Sequence, residues 1–169
     1  MTERLDLRFA LRYASLAGAL FVIYAFPYEL FGAKGDWLEG YLCAYARLTG
    51  GVLGLFERIV VVGPYIQGRF PLQIVRNCDA ADVNILFVSA LLAFPGTLRD
   101  KLAPLALGLV ALVAANVTRI CTLYYVGVYA PSRFKSVHEE VWPLLLVGLA
   151  VLLFVRAVER VERRSRSRA

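Results

Sequence analysis

Among 169 residues there is a single histidine, His138, and there are three cysteines, Cys43, Cys78 and Cys121. A thiol, an imidazole and a guanidinium brought together could carry out nucleophilic acyl chemistry. The thiolate attacks a carbonyl, the imidazole moves the proton and the cation holds the oxyanion. The candidates for those three parts are Cys78, Arg119 and His138. With no CxxC spacing and one histidine, zinc ribbons and thioredoxin-type dithiols have no support. No metal or other cofactor is expected.

Each candidate has a local setting. In Asn77-Cys78-Asp79-Ala80, Asn77 is a good helix N-cap, which would put Cys78 in a first turn where free amides and the helix dipole favour a thiolate. Asp79 and Asp82 oppose that charge. Arg119 lies about 26 Å along a helix from Leu102 at 1.5 Å per residue, just below an interface. Asn116, three residues earlier, shares its face. An arginine at that depth is costly unless paired, so a partner is implied. Ser136-Val137-His138-Glu139 fits a capping box, placing His138 in the first turn of a helix, where the dipole favours a neutral imidazole able to act as a base. Pro143 is expected to kink that helix. Structural alternatives stand beside these readings: Cys78 as a small packing residue, Arg119 reaching toward headgroups, and His138 in an interfacial belt with Trp142.

The elements that must position these residues are membrane helices. Hydrophobic residues make up 59% of the chain and mean hydropathy is +0.62, above the level of soluble domains. The net charge of +6 lies between and beyond apolar runs instead of on one solvated face, so it reads as a topology signal and not as a nucleic-acid site. Uncharged segments at Tyr13 to Tyr28, Val83 to Leu98, Leu102 to Thr118 and Val141 to Val155 predict an all-α integral membrane protein with about four transmembrane helices. Their approximate limits are 10–30, 79–98, 101–124 and 137–157. The first is read as a retained span, because Phe26-Pro27-Tyr28-Glu29 lacks a small-residue cleavage pattern.

The region from Trp37 to Gly68 is apolar but broken by Arg47, Glu57 and Arg58. It is left out of the span count. Within the segment 37–76, Leu48 to Phe56 predicts a re-entrant or interfacial helix and Ile59 to Tyr65 a strand of a short extracytoplasmic hairpin. Three basic residues at the N-terminus, two in the Arg99-Asp100-Lys101 turn and six in the tail, eleven of nineteen, then fall on one side. The positive-inside rule makes that side cytoplasmic, with both termini there and 158–169 as a basic tail. The whole chain is expected to be one membrane domain. Cys78, Arg119 and His138 approach the outer face from three different helices.

A cysteine opening one membrane helix, Asn116-Val117-Thr118-Arg119-Ile120 closing the next and a histidine opening the last resemble the exosortase and archaeosortase family of membrane transpeptidases. The resemblance covers roughly Gly63 to Arg156. It implies a cysteine transpeptidase of the cytoplasmic membrane whose site faces the periplasmic or extracytoplasmic side. The implied substrates are exported proteins bearing a C-terminal sorting signal of the PEP-CTERM type: a short motif, a transmembrane helix and a basic tail. Cys78 would be the nucleophile, Arg119 the charge stabiliser and His138 the proton carrier, with Asn116 and Asn77 in support. This chain departs from the family after the cysteine, where Asp79-Ala80-Ala81 replaces small residues that include a glycine.

Other partners implied are membrane lipids, attracted by the basic tail; no nucleic acid is expected. Two other classes remain open at this level. A thiol or quinone oxidoreductase would pair Cys78 with Cys121, although Cys121 lies about 200° around the helix from Arg119. A non-enzymatic transporter or assembly subunit would use Arg119 as a translocation or interface charge. The outer segment from Phe31 to Arg76, punctuated by Pro64, Gly68 and Pro71, is the expected substrate-docking element.

Overall fold

The structure, a computed structural model, describes the backbone of residues 2–25 and 36–166 and the side chains of 7–25, 39–76 and 78–164. The junction Phe26-Pro27-Tyr28-Glu29, the start of the outer segment at Phe31, Arg168 and the side chains of Arg4, Trp37, Asn77 and Arg166 lie outside the described residues.

The chain is predominantly helical. Helix α1 covers Thr2–Ala25, α2 Asp36–Leu53, α3 Ala81–Ala93 and α4 Leu98–Tyr129. A 3-10 turn at Pro131–Arg133, a single α turn α5 at Phe134–Ser136 and a π turn at Val137–Val141 lead into α6, Trp142–Arg166. Three helical segments are long and apolar enough to cross a membrane: Leu7–Ala25, Leu98–Tyr129 and the run Pro131–Arg164. Their apolar side chains are left outside the protein core, as at Val22, Leu107, Val110, Leu144 and Val151, which suits a lipid solvent.

The predicted second span, 79–98, is helical only over the 13 residues of α3, about 20 Å at 1.5 Å per residue. It stops before Phe94-Pro95-Gly96, where proline cannot continue the ladder and Gly96 adopts φ 135°.

By internal contacts the chain forms two compact units. The first comprises residues 1–26, 82–112 and 147–169. There Lys101, only 4% exposed, donates from Nζ to the carbonyl oxygens of Leu92 (2.9 Å) and Phe94. A buried cation thus satisfies orphan carbonyls at the C-terminus of α3. At the start of α4 the Asp100 N–H donates to Thr97 O at 3.1 Å, and Thr97 Oγ1 donates to Asp100 Oδ2 at 2.6 Å. The Arg99-Asp100-Lys101 segment, read from sequence as a topology signal, therefore also caps the end of α3 through Lys101.

The second unit comprises residues 27–81 and 113–146. Its core gathers Tyr45, Ala46 and Leu53 of α2, Ile66 and Ile74, and Val117, Ile120 and Tyr124 of α4. Helix α2 is longer than the helix expected at Leu48 to Phe56. Its apolar positions Leu42, Tyr45, Ala46 and Leu53, with buried Thr49 between them, recur at helical spacing and keep one stripe on the core despite Arg47.

The strand expected at Ile59 to Tyr65 is the start of a three-stranded antiparallel meander, β1 Val60–Val62, β2 Tyr65–Gln67 and β3 Leu72–Gln73, in the order β1-β2-β3. Val62 pairs with Tyr65 around Gly63-Pro64. Gly63 takes φ 57°, which a two-residue hairpin of the primed type requires at its first central position. Ile66 is fully buried while Tyr65 and Gln67 are exposed, so one face of the meander packs on the core.

The loop between β2 and β3 is tied to α4. Tyr124, fully buried, donates from its hydroxyl to Glu57 Oε2 at 2.7 Å and accepts the Arg69 backbone N–H at 2.9 Å. Arg69 Nη1 in turn reaches Tyr129 at 3.1 Å and Glu57 at 3.5 Å. Glu57, which breaks the hydropathy of its segment, is thus the acceptor of a network that runs from buried Tyr124 to exposed Arg69. Replacing Tyr124 with Phe leaves the ring but removes a charge-assisted bond and the acceptor for Arg69, at an expected cost of about 2 kcal/mol. Thermal unfolding in detergent micelles, with faster hydrogen exchange of the Arg69 amide, reads this effect.

Candidate functional site

The second unit carries Cys78, Arg119 and His138 on one cleft of about 300 Å³. Its walls are the chain from Phe70 to Ile74, the α4 residues Arg119, Ile120 and Leu123, and Phe134 and His138 from the turns before α6.

Cys78 does not open α3. It ends a 3-10 turn, Arg76–Cys78, whose N-cap is Val75 and not Asn77, and its own N–H donates to Val75 O at 2.7 Å. The chain then breaks at Ala80, whose φ of 53° lies in the left-handed region, and α3 starts at Ala81. The first-turn amides and dipole expected to act on Cys78 belong instead to residues beyond the break. Asp79, 1% exposed, accepts the Ala81 N–H on Oδ1 at 3.0 Å, so a carboxylate expected to oppose the thiolate serves as the cap of α3.

The break leaves the Cys78 carbonyl without a helical donor, and Asn116 supplies one. Its Nδ2 donates to Cys78 O at 2.9 Å from a fully buried position on α4. Arg119, one turn further on, is 5% exposed and turns into the cleft instead of running along the outside of α4. The structure therefore places Asn116 and Arg119 on the same side of the helix. Asn77 has its backbone in the 3-10 turn, and its side chain lies outside the described residues.

His138 brings its Nε2 to 3.6 Å from Cys78 Sγ, within hydrogen-bonding reach for sulfur. Both side chains are half-buried. The capping box expected at Ser136 is not formed. Ser136 has helical φ and ψ and makes no side-chain cap bond, because the helical path begins five residues earlier, at Pro131. His138 instead lies in the π turn, which Trp142 N–H closes onto Val137 O. Pro143 follows at once, in the first turn of α6, so the wider turn takes up the register change that a proline imposes.

Starting the helix earlier brings in residues that the sequence reading missed. Phe134, four residues before His138, stacks on its ring at 5.9 Å and an interplanar angle of 10°. Phe70 packs on Phe134 at 5.4 Å. Phe70 also lies against Gly127, where an added Cβ would collide with its ring. The Phe134–His138 spacing of four is a helical signal visible once the helix start is known; Phe70 has no local signal.

Cys43, Cys78 and Cys121 are all free thiols. Cys121 packs at the margin of the apolar core and does not line the cleft. Among the described residues no cluster of three metal-ligating side chains occurs. Comparison with protein-family models, curated proteins and solved structures gives no match for this chain.

The arrangement can hold a proton between sulfur and imidazole beside a buried cation, which is the minimum for acyl transfer through a thioester. The left-handed link at Ala80 is also where a glycine would be preferred. Since Ala80 is 4% exposed, Ala80→Val is expected to lose more than about 1 kcal/mol from strain and crowding. Ala80→Gly is expected to be neutral or to gain up to about 1 kcal/mol. Thermal unfolding of the two variants in detergent micelles checks the order.

Proposed function

We propose that this protein is an exosortase-like membrane cysteine transpeptidase that cleaves C-terminal sorting signals of exported proteins through a thioester. The observation that carries the reading is the 3.6 Å approach of Cys78 Sγ to His138 Nε2, on a cleft that Arg119 also lines. The resemblance of the Asn116 to Ile120 segment and of the Cys-Arg-His order adds the class of substrate. Four spans, with α3 as a short one, would put both termini in the cytoplasm and the cleft on the extracytoplasmic side of the cytoplasmic membrane. The basic N-terminus, turn and tail support that orientation.

The mechanism follows from the groups present. His138 Nε2 accepts the Cys78 proton as Sγ attacks the carbonyl carbon of the scissile peptide bond. The carbonyl π bond opens to an oxyanion, and the Arg119 guanidinium stabilises it. The imidazolium then delivers its proton to the leaving nitrogen, the C–N bond breaks and the acyl group remains on sulfur. An amine, a lipid headgroup nucleophile or water gives its proton to His138 as it attacks the thioester carbonyl; the C–S bond breaks, and the imidazolium returns the proton to the Cys78 thiolate. Asn116 holds the carbonyl of Cys78 and so fixes the backbone from which Sγ acts.

Co-expression with a reporter ending in a short motif, a hydrophobic helix and a basic tail tests this reading. Cys78→Ala should stop cleavage while leaving membrane insertion intact, and His138→Gln should slow it by about 10²- to 10⁴-fold. Cys121→Ser should process the reporter normally. Undiminished processing by Cys78→Ala would reject the enzyme.

A further inference from the structure

The β-meander has an open edge beside the thiol. Strand β3 pairs with β2 through Tyr65 with Gln73 and Ile66 with Leu72. The bond from Ile74 N–H to Pro64 O at 2.9 Å fixes which groups face inward. Antiparallel pairing alternates, so Leu72 and Ile74 direct their main-chain groups to β2, and Gln73 directs its N–H and C=O the other way. Gln73 is exposed, and among the described residues nothing pairs with those two groups. Gln73 is also part of the wall of the cleft that holds Cys78 and His138.

We infer that the β3 edge at Gln73 binds the main chain of an extended peptide as a fourth strand and lays it along the cleft past Cys78. An unpaired strand edge offers a donor and an acceptor at the spacing of one extended residue, and a peptide is the ligand that returns both bonds. The Tyr124 and Arg69 network holds the loop that leads into β3, so the edge is preorganised. The peptide's N–H donates to Gln73 C=O and its C=O accepts from Gln73 N–H. Recognition of this kind tolerates varied side chains at the paired residue, leaving selectivity to the aromatic wall of Phe70 and Phe134. The inference rests on the reading of the site as one that acts on peptides.

The test uses the full-length protein in detergent micelles and two alkylating reagents on Cys78. One is acetyl-trialanyl chloromethyl ketone, and the other is iodoacetamide, which carries no peptide strand. The ratio of their second-order rates at Cys78, read by peptide mass spectrometry after digestion because Cys43 and Cys121 are also free thiols, isolates docking from the intrinsic reactivity of the thiol. Gln73→Pro replaces the outward N–H with a ring carbon and spares the bonds of β3 to β2, which use Leu72 and Ile74. It should lower the ratio about three- to tenfold, the worth of one hydrogen bond. Gln73→Ala keeps the main chain and should leave the ratio within about twofold of the unchanged protein. A probe with lactic acid in place of each alanine lacks the N–H donors and should lose a similar factor on the unmodified protein, which covers a failure of Gln73→Pro to fold.

A ratio unmoved by both Gln73→Pro and the lactic-acid probe overturns the docking edge. Failure of either reagent to reach Cys78 overturns the cleft as a peptide site altogether. An iodoacetamide rate indifferent to His138→Gln counts against the catalytic reading alone, because the ratio still reports docking.

Discussion

The hydrogen bond from Asn116 to the Cys78 carbonyl is the constraint on which the site depends. A fully buried amide must find an acceptor or cost about 1 to 3 kcal/mol, and here that acceptor is a carbonyl freed by a break in the helix. The break at Ala80 thus frees the carbonyl that the Nδ2 of Asn116 uses. With Cys78 held at its N–H by Val75 and at its carbonyl by Asn116, the thiol has a fixed origin. The helical register of α4 then decides that Arg119, three residues on, also enters the cleft.

A second tie bounds the same space from the other end of the meander. Tyr124 fastens Glu57 and Arg69, and Phe70, next in the chain, reaches over Gly127 to Phe134 and so to His138. Each contact is modest alone. Together they hold a small sheet, which would be marginal by itself, against a long helix. The aromatic chain also limits the freedom of the imidazole ring, which is useful to a group that must meet sulfur at one nitrogen.

Several charges that interrupt apolar sequence have structural work. Glu57 accepts a buried tyrosine hydroxyl, Lys101 caps the carbonyls of α3 and Asp79 caps its first amide. Hydropathy treats such residues as breaks or as topology markers. In the folded chain they satisfy main-chain and hydroxyl groups that would otherwise be buried without partners. Helix α3 is short because it starts at the Asp79 cap and stops before Pro95-Gly96, where Lys101 takes up the carbonyls left free, and not because the apolar run ends.

What the sequence determined by itself was whatever a local pattern carries. Runs of uncharged apolar residues marked the long helices, Ile59 to Tyr65 marked strand-forming sequence although the chain turns within it at Gly63-Pro64, and residue type marked Cys78, Arg119 and His138 as the groups able to do chemistry. The spacing of Asn116 and Arg119 put them on one helix face. The starts of α3 and of the last helix were misread, because Asn77 and Ser136 look like caps in isolation, whereas the left-handed link at Ala80 and the helical path from Pro131 displace both. Only the tertiary structure decided that sulfur meets imidazole across 60 residues of chain, that Asn116 holds Cys78 across 38 and that Tyr124 holds Glu57 across 67. Helical and strand periodicities report on neighbours within a few residues, while these partners are chosen by how distant segments share one core and satisfy its buried polar groups.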